Sequence, residues 1–501
     1  MMKYTGINIG PIVSTISMGR KPREIWAASY MFSFLMECII REMPEDVEII
    51  SPAIFLKGKE YTGVGLYPDR VFVRGDFNVQ SVVENALVTF TKLTGVNRDY
   101  INVMHVSIEG EEASKDKDSI KRLNQLLDCM ELTNHAVGAG ARNSVLKLIQ
   151  KKDDSPLFVH GHGSLHFSIP FLAEIASGGL VNEELKSLCN KYRGKEPDKD
   201  GDEDDFYKEL KSHLEKDYFS YHKYICIVQA DGDNMGKIVS SITADNVKKV
   251  SKALLEYGKE ACKLIKEYGG LPVYAGGDDL LFIAPVNSQN DTIFGLMDKV
   301  DALYKDKVDG AIGAFRPEDE NKKPLHTYLS YGLSMSYYKY PLYEAFNDAL
   351  DQLFGKAKNV DGKNAVAWCL RKHSGSGFVG SLSKNGTVYD LYKNIMACSV
   401  EEKVVSAIAH KLKNNENLLG ILLNGYRNNK SQSALENRLE NFYKKTMEDT
   451  GNSRYMTLSR NLLCELMVKA DAKTNMNEIL ENMYGMLRTA KFIKGEGDKD
   501  E

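Results

Sequence analysis

Gly276-Gly277-Asp278-Asp279 joins two apolar runs, Val273-Tyr274-Ala275 and Leu280-Leu281-Phe282-Ile283, and this pattern predicts a β-hairpin with two acids at its tip. The two glycines are expected to supply the positive φ values of the turn and to leave the backbone bare for a polyanion. A third acid arrives on another strand, because the apolar run Tyr224 to Val228 leads into Asp231-Gly232-Asp233-Asn234. Carboxylates brought together repel, so Asp231, Asp278 and Asp279 would need cations. Such a set holds two divalent ions about 3.5 to 4 Å apart, which aligns an attacking hydroxyl with a leaving pyrophosphate. The chemistry indicated is nucleotidyl transfer. The plain alternative is a solvated turn, since Gly and Asp are ordinary turn residues. An EF-hand reading of Asp231 to Gly236 fails, because that loop wants oxygen at its fifth place and Glu at its twelfth, where this chain has Met235 and Ile242.

The elements that must position these acids are legible on either side. Between them Val250, Leu254, Tyr257, Ala261, Leu264 and Ile265 recur at helical spacing, and Gly269-Gly270 stops the helix. Strand, helix and hairpin make half of a ferredoxin-like βαββαβ unit, whose first strand lies beside the hairpin. Further on, Thr292 to Tyr304 reads as a helix, Tyr328 to Met335 as a strand, Glu344 to Ala357 as a helix, and Ala365 to Leu370 as a last strand closing the unit. Upstream, Tyr4 to Ile9, Val47 to Ile54, Arg70 to Arg74 and Ile101 to Ile108 read as strands, with helices over Pro22 to Arg41 and Val82 to Leu93. A second unit of the same kind is therefore expected. Arg20, Lys21 and Arg23 stand against the dipole at a helix start, which suits either a bound anion or a solvated turn.

Three stretches read as connections. Residues 193–206, RGKEPDKDGDEDDF, predict a solvated linker. His160, His162 and His166 lack a neighbouring acid or cysteine to complete a metal site and read as a glycine-rich loop near the nucleotide. Gly375, Gly377 and Gly380 match GxGxxG without the helix and acidic partner of a dinucleotide fold, and read as a linker. The expected fold is α+β: an N-terminal palm-like domain (1–170), a helical and charged linker region without a zinc site (171–220), a catalytic palm (221–372) and an α-helical C-terminal domain (380–501).

Composition bounds the function. A 501-residue chain that is 43% hydrophobic can build several cores. No signal-peptide pattern opens MMKYTGINIG, and no apolar run approaches the roughly 18 residues that cross a bilayer, so a cytoplasmic location is expected. Eight cysteines are scattered singly, without Cys-x-x-Cys, and read as reduced thiols. A net charge of -4 gives no global signature of nucleic-acid binding, so any RNA contact would be local or shared with partners.

Several segments, in order along the chain, resemble the large subunit of type III CRISPR-Cas effector complexes, closest to the Cmr type. They are IGPIVSTIS with RKPREIWAASYMFS, YPDRVFV, QADGDNMG, AGGDDLLFIAP, YGLSMSYYKYPLYEAF with AKNVDGKNAVAW, and LRTAKFI. The resemblance implies two palm domains facing each other across a nucleotide site and a helical C-terminal domain docked on other subunits of the ribonucleoprotein, with guide RNA and target RNA as further partners. It implies a nucleotidyltransferase, activated by target RNA, that uses ATP with Mg2+ or Mn2+ to make a second messenger. Carried over by position, Asp231, Asp278 and Asp279 hold the metals with the Gly232 carbonyl nearby, Gly276 and Gly277 admit the nucleotide, and Lys358 binds triphosphate.

Three departures from the family pattern matter. Many relatives begin with an HD nuclease; here there is no room for one before Gly10 and no His-Asp dipeptide, so none is expected. Relatives often carry a four-cysteine zinc site between the palms, where this chain has only Cys189 before Cys226. Asp69 stands before Arg70 where the family commonly has Asn, in a segment near the acceptor site that is expected to contact the nucleotide through both residues. A carboxylate is awkward beside an incoming ATP and suits a cationic acceptor. Some family members join AMP to S-adenosylmethionine, which carries a sulfonium and an ammonium, and that product is expected here ahead of cyclic oligoadenylate. The alternative for Asp69 is a simple pairing with Arg70 or another base. A diguanylate-cyclase-like palm would show Glu-Phe where this chain has Asp279-Leu280. A non-catalytic scaffold is the alternative of another class, and the three intact acids weigh against it.

Overall fold

The computed structural model describes residues 3–53, 63–109, 116–132, 138–150, 169–193, 200–289, 291–447 and 453–495. The histidines at 160, 162 and 166 and residues 194–199 of the expected linker lie outside them. The N-terminal sheet contains β1 (Lys3–Gly10), β2 (Glu48–Ser51), β3 (Arg70–Arg74) and β4 (Asn102–Glu109) in the order β2-β3-β1-β4, with every neighbouring pair antiparallel. Helices Pro22–Arg41 and Val79–Thr94 cross over it, giving the βαββαβ unit read from the sequence. Pro22 sits at the first turn of its helix, where a missing N–H costs nothing. The second helix starts where the Asn78 side chain accepts the Ser81 amide and ends at Gly95 with φ 72°.

The second sheet contains β5 (Tyr224–Gly232), β6 (Leu271–Gly276), β7 (Asp279–Pro285), β10 (Leu329–Tyr337), β11 (Ala365–Arg371) and β12 (Gly377–Ser383). Two residue pairs between β7 and β10, β8 (Asn287–Ser288) and β9 (Asp291–Thr292), form a separate small hairpin. The sheet order is β12-β11-β10-β5-β7-β6. Its ferredoxin-like unit closes with β10, one strand earlier than the sequence reading placed it. Helix Leu342–Gly355 then returns the chain so that β11 runs parallel to β10, and β12 pairs antiparallel with β11. The expected glycine linker is therefore an edge strand. Gly380 is required because the Trp368 ring fills the place of its side chain, with Cε2 2.6 Å from where a Cβ would stand. The last helix, Met476–Lys494, covers this edge: the Asn482 side chain accepts the Ser381 amide at 2.7 Å and donates to the Ser381 carbonyl at 2.8 Å.

The acidic half of the expected linker is also ordered. Asp200–Leu214 is a helix that buries Phe206, Tyr207 and Leu210, with its acids toward the positive end of the dipole. Among the described residues no helix is long and apolar enough to cross a membrane.

The two sheets meet along β6. The Ala275 amide donates to the Gly65 carbonyl at 2.9 Å, Ser29 Oγ donates to the Val273 carbonyl at 3.1 Å, and Ser251 Oγ accepts the Ala53 amide at 2.9 Å. The N-terminal unit thus covers the outer edge of the hairpin that carries the acids.

Helix Leu342–Gly355 lies so close to β10 that a Cβ at Gly332 would overlap the Ala349 carbonyl and stand 2.7 Å from Leu353 Cβ. Gly332→Ala should cost about 1–3 kcal/mol through overpacking, read as a lowered denaturant midpoint at unchanged m-value.

Candidate active site

Asp231 and Gly232 end β5, where the register sets Ala230 opposite Leu280 of β7 and Ser330 of β10 opposite Asp231. In the β6–β7 hairpin Gly276 pairs with Asp279, which leaves Gly277 and Asp278 as the turn. Only Gly277 has positive φ, 66°, so the expectation that both glycines supply the turn is corrected. Gly276 is needed because the Tyr274 ring folds across it, with Cε2 2.7 Å from where a Cβ would stand. Gly232 makes room in the same way: a Cβ there would stand 2.6 Å from Asp278 Oδ2 and 2.7 Å from Tyr304 Oη. The Asp278 carboxylate therefore lies against the end of β5, beside Asp231.

Lys358, from the short turn Ala357–Asn359, reaches into this end of the sheet. Its ammonium donates to the carbonyls of Asp231 at 2.9 Å and Gly232 at 3.1 Å and to Asp233 Oδ1 at 2.8 Å, and it pairs with Asp231 Oδ2 at 3.1 Å. Asp233 is a further residue of this candidate site, one that the sequence reading does not single out. It is fully buried; its Oδ2 accepts Ser330 Oγ and the Asn364 amide, each at 2.8 Å, and its own amide donates to the Tyr328 carbonyl at 2.7 Å. One carboxylate thus ties β5 to β10, to the start of β11 and to Lys358. The available signal was the second acid of Asp-x-Asp at a strand end.

Among the described residues no three acidic, histidine or cysteine side chains converge as a group that could by itself hold a metal ion. The oxygens at the end of β5 are nevertheless of the kind a hard cation takes, and the observation that bears on this is Lys358 itself: a positive group stands against Asp231 Oδ2 and the Gly232 carbonyl, both of the set that the resemblance assigns to metal.

Withdrawal from water, followed by the charge of Asp231, raises Asp278 to about 7. Asp279 is exposed along one side, yet withdrawal from water raises it well above the usual carboxylate range, with Asp278, Asp231 and Asp69 adding to the effect. Asp231 is raised by burial against the opposing pull of Lys358. Asp69 is raised by burial, with Arg70 opposing, and its charge acts on both hairpin acids. Arg70 points its guanidinium elsewhere, to Asn124 at 3.0 Å and to Asp128 and Glu131 at 2.7 Å each. It braces the helix Asp116–Glu131 while still lining the cleft described next. Between the two units lies a cleft of about 460 Å³ whose lining includes Leu66, Pro68, Arg70, Val250, Leu254 and, at one end, Gly277 and Asp278.

Two ferredoxin-like units facing across a cleft, with acids at the strand ends of the second, define a palm-type protein. Residues 224–367 match the family described as Cas10/Cmr2, second palm domain, and residues 4–61 match CRISPR-associated protein Cmr2, N-terminal. Both parts of the chain thus resemble Cas10/Cmr2 domains, in the order expected from the sequence. CRISPR system Cmr subunit Cmr2 of Pyrococcus furiosus is 30% identical over 184 residues, a stretch that covers 31% of this chain and 19% of that protein. The apo state of a Type III-B Cmr-beta complex contains a chain matched with a TM-score of 0.60 at 12% identity, covering 99% of this chain and 82% of that one. The same type of complex bound to cognate target RNA gives 0.52 at 12% identity, covering 99% and 83%. At that identity the likeness is one of fold.

Because Asp278 titrates higher in the folded chain than in the unfolded one, folding takes up a proton between about pH 4 and pH 7, and stability falls as pH rises through that window. Asp278→Asn should therefore raise the apparent Tm at about pH 8 in the presence of chelator, with the difference closing toward about pH 4. Calorimetry across that range checks it.

Proposed function

We propose that this chain is the nucleotidyltransferase subunit of a type III CRISPR effector complex, activated when guide RNA pairs with target RNA. It uses ATP to make an adenylate messenger, with AMP joined to S-adenosylmethionine ahead of cyclic oligoadenylate. The observation that carries this reading is the cleft between the two units, lined by Asp278 and by Pro68 and Arg70 on either side of Asp69, whose charge acts on Asp278 and Asp279. Mg2+ or Mn2+ held by Asp231, Asp278, Asp279 and the Gly232 carbonyl would supply charge neutralisation and an activated attacking hydroxyl.

The remaining work falls to the protein's own groups. Leu66, Pro68, Val250 and Leu254 give the cleft apolar walls suited to a nucleoside base, and its volume lies in the range of small-molecule sites. Gly277 presents bare backbone in the cleft, Arg70 and Lys121 are basic groups of its lining, and Lys358, beside Asp231, is the positive group assigned to a triphosphate. Arg70 is held by Asn124, Asp128 and Glu131, so Asp69 offers its carboxylate to a sulfonium or ammonium and disfavours a second polyphosphate. Partners follow from the family: other subunits of the ribonucleoprotein, with guide and target RNA contacted largely through the complex. The matched Cmr-beta assembly bound to cognate target RNA supports that setting.

Mass spectrometry of products from the assembled complex with guide, target RNA, magnesium and ATP, with and without S-adenosylmethionine, tests both parts. An AMP adduct should form only with S-adenosylmethionine, and Asp69→Asn should lower its yield about tenfold, the loss of roughly one charge-assisted contact. Oligoadenylates formed regardless of S-adenosylmethionine would overturn the acceptor, and an intact complex with no ATP-derived product would leave the scaffold reading.

A further inference from the structure

Lys358 is held by oxygens that a cation would want. Its ammonium lies within 3.1 Å of four of them: the Asp231 carbonyl, the Gly232 carbonyl, Asp231 Oδ2 and Asp233 Oδ1. Two of the four, Asp231 Oδ2 and the Gly232 carbonyl, belong to the group assigned above to a divalent ion. The fourth belongs to Asp233, whose other oxygen is already committed to Ser330 and Asn364. Lys358 is itself nearly buried, with 12% of its side chain exposed, so this is a built contact rather than a surface excursion.

We propose that Lys358 is an internal counter-ion that competes with the divalent cation for the Asp231 and Gly232 oxygens, tethered throughout by Asp233. An ammonium and a metal ion cannot share Asp231 Oδ2 and the Gly232 carbonyl at contact distance, because like charges that close repel strongly in a partly dry site. Asp233 cannot release its cation cheaply, since a fully buried carboxylate left unpaired is strongly disfavoured. The exchange therefore swings Lys358 off Asp231 while it keeps Asp233. A triphosphate arriving with the metal gives the displaced ammonium a new partner. The lysine thus makes the site favour the metal–nucleotide pair over the bare metal, a positive linkage between the two. The proposal rests on the reading of Asp231, Asp278 and Asp279 as cation ligands.

The test is binding of Mn2+ alone, without nucleotide, to the full chain, followed by the electron paramagnetic resonance signal of free Mn2+. Lys358→Met removes the competitor and should bind Mn2+ at least about tenfold more tightly than wild type, with a larger rise in Tm on adding Mn2+. Should Lys358→Met fail to fold because Asp233 is left unpaired, Lys358→Gln keeps a donor for Asp233, removes the charge and carries the same expectation. Binding by either variant that is equal to or weaker than wild type would overturn the competition and make Lys358 an organiser of the site. A wild type and variants that all fail to bind Mn2+, with Asp231→Asn no different, would overturn the cation-ligand reading and this proposal together.

Discussion

Everything at this end of the second sheet answers to one electrostatic constraint: four carboxylates, Asp231, Asp233, Asp278 and Asp279, are brought to the ends of adjoining strands beside the ammonium of Lys358, with the charge of Lys363 also acting on Asp231. Like charges this close disfavour folding unless each is neutralised, protonated or hydrogen-bonded. The fold uses all three means. Asp233 is buried with both oxygens filled by Lys358, Ser330 and Asn364. Asp278 is raised to about 7, so it holds a proton part of the time near neutrality. Asp231 is held by Lys358. The bracing extends outward from there. Tyr304, whose hydroxyl stands against Gly232, shares a 2.9 Å hydrogen bond with Thr327, and the Thr327 amide donates to Asp309, itself gripped by Arg316 at 2.6 Å.

The seam between the palms extends the same logic across the cleft. A hairpin on the outer edge of a sheet is free to twist, and acids on its tip would wander with it. Here the Gly65 carbonyl takes the Ala275 amide, and Pro68 comes to 3.9 Å from where a Cβ at Gly277 would stand. The residue after that proline is Asp69. Fixing the hairpin and placing Asp69 are therefore one structural act, which is why a single substitution in the N-terminal unit can alter the electrostatics of acids in the second. Asp69 and the hairpin acids put negative charge on both sides of this seam, while Arg70 and Lys121 are basic groups in the cleft lining itself.

What the sequence disclosed and what it withheld divide along physical lines. The strands, the crossover helices and the acidic hairpin were legible because they are written in short-range periodicity, as in Val250, Tyr257, Ala261 and Ile265 on the buried face of Ala244–Tyr268. β12 was not, because a strand whose packing depends on Gly380 leaving room for Trp368, and on Asn482 pairing its edge from residues far along the chain, carries no local alternation. Helix Asp200–Leu214 looked like a solvated charge run; three apolar residues on one face were enough to fold it once a core was available. Arg70 was legible as a base near the site, but its partners come from a helix more than fifty positions away. Asp233 was missed for the same reason: the second acid of Asp-x-Asp at a strand end marks a candidate, but its burial is decided by Ser330, Lys358 and Asn364, far along the chain.

The C-terminal helices also reach the acids, through bonded atoms rather than through space. Lys469 donates to the Asn385 carbonyl at 3.1 Å, the Asn385 side chain accepts Asn364 Nδ2 at 2.7 Å, the Asn364 amide donates to Asp233 Oδ2, and Asp233 Oδ1 holds Lys358. Continuity of this kind transmits nothing unless some element along it has two arrangements that differ little in free energy. In the exchange proposed for Lys358 that element is the lysine, with Asp233 as its pivot. A displacement at the 384–387 turn, where the palm meets helix Ser453–Lys469, would move Asn364 and so shift the pivot. The carboxylate that binds no metal in this scheme is then the one that links the helical domain to those that do.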